Sequence, residues 1–458
     1  MSVLTLLFLA VAATAAAAQT TPVPVVRSEG PSLRFDFPGM RVGVAEYDEG
    51  PTGTTVFYFP DGVKGAVDVR GGSPGTVNAT ALMDAYEAKM VQAVVFSGGS
   101  WYGLSAATGV ANGIKDLKVA AGDPDFIAGV VAAIIYDVGG RRYSRVTPDD
   151  ALGRAALQAA RPGWFPLGAR GAGRFAMQGY YYVRGKGADQ FQAWPHSGQG
   201  GAFRSIGPTK VGVFTVVNAL GTIVDRSGRV VRCRRNRSDG ECPLIADRLR
   251  KFEPISGGVE QGSDGKTGNT TLTLVVTNQK LPFWALQRLA KQVHGSMSRA
   301  IQPFSTEEDG DVLYAVTTDE VENPALSPLD LGVVASEAAW DAVLASVPEL
   351  PPAPARRTGG ATAEELRRYP GSYRLGQSEI VVGNEAGSLT ITLHGRGRIY
   401  VDADRVYRLI PAAGGLFVID AAAGDVVRFE QSDDRVIGLT VNPGPWALSA
   451  VRRPAAAR

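Results

Sequence analysis

Histidine is scarce in this chain of 458 residues: there are three, His196, His294 and His394. A histidine-rich metal site is therefore not expected, and a Ser-His-Asp triad would have to use one of these three. Cysteine is scarcer still. Cys233 and Cys242 bracket the polar, Arg-rich stretch RRNRSDGE. That spacing, with no histidine nearby, is a poor zinc pattern, and the pair is instead a candidate disulfide for an oxidising compartment. No excess of either charge exists, since 47 Lys+Arg against 45 Asp+Glu leave +2. Such a balance is far from the basic footprint of a nucleic-acid binder, and no nucleic-acid partner is expected. Beyond the N-terminus no segment holds 18 uninterrupted apolar residues, so no membrane span is expected in the mature chain. What is present is ordinary globular material, 45% hydrophobic and 20% charged. With 56 Gly and 28 Pro but no Gly-X-Y period, the composition points to a sheet-and-loop enzyme scaffold rather than a fibre.

At about 100–200 residues per domain, the length allows two to four domains. Residues 3–18 read VLTLLFLAVAATAAAA, an uncharged apolar stretch that closes on small residues and is short for a membrane span. It predicts a signal peptide over residues 1–18 and an exported, periplasmic or secreted, protein. Residues 350–357 (LPPAPARR) read as a semi-rigid linker between a body at 19–349 and a second domain at 358–458. In that second domain short runs such as EIVV, SLTITL, VYRLI and VIGLTV alternate with Gly, Asp or Asn. They predict an antiparallel meander closing into a small barrel or sandwich.

The body mixes strands and helices. VGVFTVV (211–217) and the alternation Leu272, Leu274, Val276 predict strands. Three apolar stripes predict helices: Leu104, Ala107, Val110, Ile114 and Leu117; Leu286, Leu289, Val293, Met297 and Ile301; and Trp340, Val343, Leu344 and Val347. The body is thus α+β, with helices covering sheet faces.

The segment GSDGKTGNTT (262–271) runs straight into the strand LTLVV. One reading is a plain loop-to-strand junction. The other is a self-cleaving bond, in which the Thr270 hydroxyl attacks the Asn269 carbonyl and hydrolysis frees Thr270 as a new N-terminus. Its α-amine, with an ordinary pKa near 8, would then serve as base for its own hydroxyl. This chemistry needs no histidine.

Six blocks bear on that choice. They are VDVRGGSPGTVNAT, VVFSGGSWYGLSAATGV, AAIIYDV, VGVFTVVNALG, GNTTLTLVVT and HGSMSRAIQPFSTEEDGDVLYAV. In this order, over about residues 33–320, they resemble the self-processing aminopeptidase/amidase family. That family includes L-aminopeptidase/D-amino-acid esterases, β-peptidyl aminopeptidases and nylon-oligomer endo-hydrolases. The resemblance implies a four-layer αββα sandwich with N-terminal-nucleophile chemistry, cleaved between Asn269 and Thr270. It implies Thr270 as nucleophile and base, Asn218 as an oxyanion donor, and Asp309 and Asp311 as carboxylates orienting Thr270. An acidic turn, with Gly310 supplying a positive φ, is the plainer reading of EEDGD.

Tyr136 is a candidate pocket residue or a packed strand-end tyrosine. Ser100, in GGSWYG, is a candidate pocket residue whose plainer role is a helix N-cap. The family's usual lysine before the Asn218 strand is replaced by Gln199, which donates a hydrogen bond but no charge; Lys186 is nearby in sequence. The C-terminal β domain, foreign to the family's usual members, looks like lipocalin-like barrels appended to some serine hydrolases. The expected function is an autoprocessed amidohydrolase or aminopeptidase acting on short peptides, amides or esters. No metal or organic cofactor is implied, and a homo-oligomer of processed pairs is expected. An acyltransferase of the ornithine-acetyltransferase type and a non-catalytic binding scaffold are the alternatives.

Overall fold

The computed structural model describes residues 21–84, 87–138, 145–179, 196–232, 244, 246, 269–395, 401, 403–421 and 424–454. The expected leader at 1–18, Lys186, Cys233 and Cys242 lie outside the described residues.

In chain order the body runs β1 (Arg41–Tyr47), β2 (Thr52–Val69), β3 (Val91–Ser97), α1 (Ser105–Ala120), β4 (Val130–Ile134), α2 (Asp150–Gln158), β5 (Gln199–Ile206), β6 (Thr209–Asn218), β7 (Thr270–Gln279), α3 (Phe283–Ser296), β8 (Val312–Val321) and α4 (Pro328–Ala345). The 18-residue β2 belongs to two sheets. Its first half pairs with β1 and β3, and its second half pairs with β8. The register slips between Tyr58 and Val63, where Gly62 takes φ +70°. A bulge of this kind bends and twists the strand, which lets one strand pass between sheets. The first sheet continues through β3 to the parallel β4, and the second runs β2–β8–β7–β6–β5 with only β8 and β7 parallel.

The two sheets face each other across an aromatic core. Phe57, Phe96, Phe165 and Phe214 meet with ring centroids 4.9–5.8 Å apart, and each fully buried ring contributes about 1.5–3 kcal/mol. On the far face of the first sheet, Val110, Ile114 and Leu152 of α1 and α2 pack against Tyr47 and Val56. On the far face of the second, Leu286, Leu289 and Ala338 of α3 and α4 cover Val213, Val275 and Leu313. These are the four αββα layers.

Because both faces of the second sheet are covered, every residue of β7 is buried, not only the alternate apolar set. The stripes hold with corrections at their ends: Leu104 lies in a 3₁₀ turn before α1, Met297 in one after α3, and Val347 beyond α4. Leu117 is 54% exposed. The helix from Pro282 stops at Ser296, and Ile301 lies in a two-residue strand instead. Helix α4 starts where Ser327 Oγ accepts the Asp330 N–H at 3.2 Å, a standard N-cap.

Eight antiparallel strands between Gly371 and Arg452 close into a barrel, the first pairing with the last. Tyr373, Phe417, Phe429 and Leu439 fill its interior, so the barrel is a packed core. No helix among the described residues is long and apolar enough to cross a membrane.

Candidate active site

Strand direction assembles the site. Strand β7 is antiparallel to β6 and parallel to β8, so the end of β6 and the starts of β7 and β8 meet at one edge. Asn218, the last residue of β6, pairs with Thr270, the first of β7. Asn269 bridges Asp309, just ahead of β8. Residues separated by up to 91 positions thus share one edge of the sheet.

The peptide between Asn269 and Thr270 is held from several sides. The Thr270 hydroxyl donates to the Asn269 carbonyl at 2.5 Å, and the Gly310 N–H donates to the same oxygen at 2.6 Å. The Asn269 N–H donates to the Glu308 carbonyl at 3.2 Å. Thr270 itself is 3% exposed. Gly310 does not take a positive φ, contrary to the acidic-turn expectation. Glycine is required there by close approach: a Cβ would sit 2.7 Å from Thr270 Oγ1 and 2.7 Å from the Ser73 carbonyl.

The two carboxylates reach the main chain around Thr270. Asp311 accepts the Thr271 N–H at 2.5 Å and the Ser305 N–H at 3.0 Å. Asp309 accepts the Thr306 N–H and hydroxyl at 2.9 and 2.7 Å, and the Leu220 N–H at 3.3 Å. Burial pushes the Asp309 carboxyl above its ordinary range, against the hydrogen bonds from Thr306. Burial and then the negative charge of Asp309 push Asp311 well above its own.

Asn218 is fully buried. Its Oδ1 accepts the Met177 N–H at 3.1 Å, and its Nδ2 donates to the Tyr136 carbonyl at 3.1 Å. Tyr136 therefore enters the site through its main chain. Ser100 is not a helix N-cap: it lies inside a 3₁₀ turn (Ser100–Leu104) capped by Gly99, and α1 begins only at Ser105. The Ser100 N–H donates to the Ile135 carbonyl at 2.9 Å, next to Tyr136 in sequence. Asp137, which sequence reasoning missed, holds this turn by accepting the Gly99 N–H at 2.6 Å and the Thr52 hydroxyl at 2.9 Å.

Gln199 is fully buried. Its Oε1 accepts the Thr55 hydroxyl at 2.9 Å and its Nε2 donates to the Pro166 carbonyl at 2.6 Å, which ties the two sheets together. Among the described residues no group of three or more His, Cys, Asp or Glu side chains is placed to hold a metal ion. The edge of the second sheet therefore gathers a hydroxyl, a carbonyl, a main-chain donor, a carboxamide and two carboxyls with raised proton affinity. Such a set can support acyl transfer from a carbonyl to a hydroxyl.

The Peptidase family S58 model matches residues 35–350. A 6-aminohexanoate-oligomer endohydrolase of Paenarthrobacter ureafaciens is 41% identical over 332 residues, 70% of this chain and 87% of that one. An uncharacterized aminopeptidase of Mycobacterium leprae is 31% identical over 300 residues, 61% of this chain and 75% of that one. Among solved structures, the L-aminopeptidase D-Ala-esterase/amidase of Ochrobactrum anthropi is 17% identical with a TM-score of 0.47, covering 70% of this chain and 88% of that one.

Proposed function

We propose that this chain, which belongs to peptidase family S58 and is a peptide/amide hydrolase, works by N-terminal-nucleophile chemistry with Thr270 as the nucleophile. The observation that supports this is the convergence of the Thr270 hydroxyl and the Gly310 N–H on the Asn269 carbonyl, at 2.5 and 2.6 Å. In processing, Thr270 Oγ1 attacks the Asn269 carbonyl carbon while the Gly310 N–H steadies the charge growing on its oxygen. Collapse breaks the C–N bond, the hydroxyl proton passes to the departing nitrogen, and an ester remains. Water then hydrolyses the ester to an Asn269 carboxylate and a free Thr270.

In turnover the Thr270 amine takes the hydroxyl proton as Oγ1 attacks a substrate amide. The substrate's leaving nitrogen receives that proton, and water releases the acyl group from Thr270 Oγ1. Asn218 assists as a donor to the oxyanion. Asp311 and Asp309 act by fixing the main chain at Thr271, Thr306 and Leu220, and so the position of Thr270 between them. Tyr136 and Ser100 line the approach, and Gln199 serves the scaffold.

Greater identity to the 6-aminohexanoate-oligomer endohydrolase than to the aminopeptidase makes linear oligoamides the first substrates to test, with N-terminal release from short peptides second. Export by the leader at 1–18 and assembly of processed pairs belong to the same proposal; cell fractionation and light scattering check them. The deciding experiment is a denaturing gel with N-terminal sequencing. Two fragments are expected, the smaller beginning at Thr270, and Thr270→Ala is expected to stay whole and inactive on 6-aminohexanoate oligomers. An unbroken chain that hydrolyses amides at full rate would overturn the mechanism.

A further inference from the structure

The C-terminal barrel lies beyond the family match at residues 35–350, yet one of its turns packs against the body. The turn Asn442–Trp446 joins the last two barrel strands, Arg435–Val441 and Leu448–Arg452. Its Trp446, 3% exposed, stacks on the His196 ring with centroids 4.2 Å apart and planes 11° from parallel. Phe175 also meets the His196 ring, edge-on at 5.2 Å. Beside Trp446, the Pro445 carbonyl accepts the Arg174 Nε–H at 3.0 Å. Arg174 is anchored in turn by Glu46 and Asp48 of the body.

The body residues under this turn are those that hold the site. The barrel core is continuous with Phe175, Met177 and Leu220. Met177 donates its N–H to Asn218 Oδ1, and Leu220 donates its N–H to Asp309 Oδ1. Met177 is also bridged to His196 across the chain, so the tryptophan clamps the segment that orients the Asn218 carboxamide. A closed barrel has no open edge to hide, so its own ladder does not require this contact. His196, buried, stacked on Trp446 and met edge-on by Phe175, acts here as a packing surface.

We propose that Trp446 is a positioning residue. Through His196 and Met177 it fixes the Asn218 carboxamide, and the barrel core fixes Leu220 against Asp309, so the barrel buttresses the hydrolase site. This rests on the reading of Asn218 and Asp309 as site residues. A carboxamide tens of degrees off axis is a poor oxyanion donor, and displacement of a reacting geometry by about 1 Å costs on the order of a hundredfold in rate.

The test uses the full-length processed protein and an oligoamide substrate. Trp446→Ala is expected to lower kcat by about ten- to a hundredfold with KM changed by less than about twofold. Trp446→Phe, which keeps a stacking ring, is expected to recover most of the loss. In an Asn218→Ala background, Trp446→Ala is expected to add little, because the two act through one group. Wild-type kcat in Trp446→Ala overturns the proposal. So do equal losses in the Ala and Phe variants, accompanied by a fall in melting temperature, or full additivity with Asn218→Ala; each makes the contact structural only. Wild-type turnover by Asn218→Ala alone would instead defeat the reading of the site, and that result is separable from any effect of Trp446.

Discussion

Gly310→Ala probes the site directly beside the proposed nucleophile. The added Cβ would lie 2.7 Å from Thr270 Oγ1 and 2.7 Å from the Ser73 carbonyl oxygen, with Pro74 Cα at 3.4 Å. Ordinary van der Waals contact requires the two 2.7 Å distances to open by about 0.7 Å. Ser73 cannot retreat cheaply, because its N–H donates to the Asp309 carbonyl at 2.9 Å. The movement therefore falls on Thr270 Oγ1 and on the Gly310 N–H that meets the Asn269 carbonyl. Overpacking of this kind costs about 1–3 kcal/mol of stability. Loss of one well-aimed oxyanion donor slows acyl chemistry by about 10²–10³-fold. Self-cleavage of Gly310→Ala should thus slow by at least about a hundredfold while the chain still folds. The assay follows the two fragments on denaturing gels over time, alongside a melting curve. Gly360→Ala, where nothing lies within 4 Å of the new Cβ, is the control and should process normally. A folded Gly310→Ala protein that cleaves at the wild-type rate would refute the claim that this glycine is required by the nucleophile.

Two further predictions concern ionisation. Glu46, 1% exposed, receives Arg27 and Arg170 at 2.9 Å, Arg174, and the Gly171 N–H at 2.8 Å. Burial pushes its carboxyl up, but Arg174, Arg170 and the Gly171 N–H outweigh that and leave it below its ordinary value. Its stabilisation is therefore present above the unfolded carboxyl pKa and lost as pH falls through the depressed folded value. Glu46→Ala leaves buried guanidinium charge uncompensated and should cost about 3–5 kcal/mol, read by urea melts; a change under about 1 kcal/mol would show the cluster to be effectively solvated. Asp311 behaves oppositely. Its raised pKa favours the folded state at low pH, and that contribution disappears as pH climbs from the unfolded value through the folded one. Asp309→Asn removes the negative neighbour, so Asp311 should titrate at lower pH. The acid limb of the kcat/KM profile should move down with it, and an unmoved limb would show that the pair does not govern that limb.

Much of the architecture was legible in the sequence because it rests on periodicity. The stripe Leu286, Leu289, Val293 forms α3, and the run 211–217 forms β6. Local pattern carries no information on what lies across from a helix end, which is why Leu117 was misassigned. The candidate site was legible as ordered blocks: Asn218, Thr270, Asp309 and Asp311 lie together at one sheet edge, and the roles the resemblance implies for them belong to the proposed mechanism. Three features were not legible because each depends on the main chain. Gly310 reads as a turn glycine until Thr270 is seen against it, Tyr136 contributes a carbonyl, and Ser100 follows the residue that caps its turn. Gln199 was read as a substitute for a missing charge, whereas its partners are Thr55 and Pro166, residues that no spacing rule connects.

The place of the proposed cut within the sheet bears on whether a new terminus can act as a base. Immediately after Thr270, residues 271–277 pair with β6 on one side, and residues 272–277 with β8 on the other. The Thr271 N–H is held in addition by Asp311. Terminal residues usually fray because few contacts oppose local opening, but this terminus would begin a strand laddered on both sides within a residue or two. Its amine and hydroxyl sit on one residue, so fixing that backbone fixes the base relative to the nucleophile with no second side chain to position. Asn269, by contrast, lies outside the ladder: it is held by an isolated bridge to Asp309, by its N–H on the Glu308 carbonyl, and by hydrogen bonds to the very carbonyl that processing would convert to a carboxylate. Hydrolysis would therefore release the side of the bond that must leave and retain the side that must work. On the proposed mechanism a central-strand N-terminus would supply what a histidine supplies elsewhere, so the scarcity of histidine in this chain, three in all, is no obstacle to it.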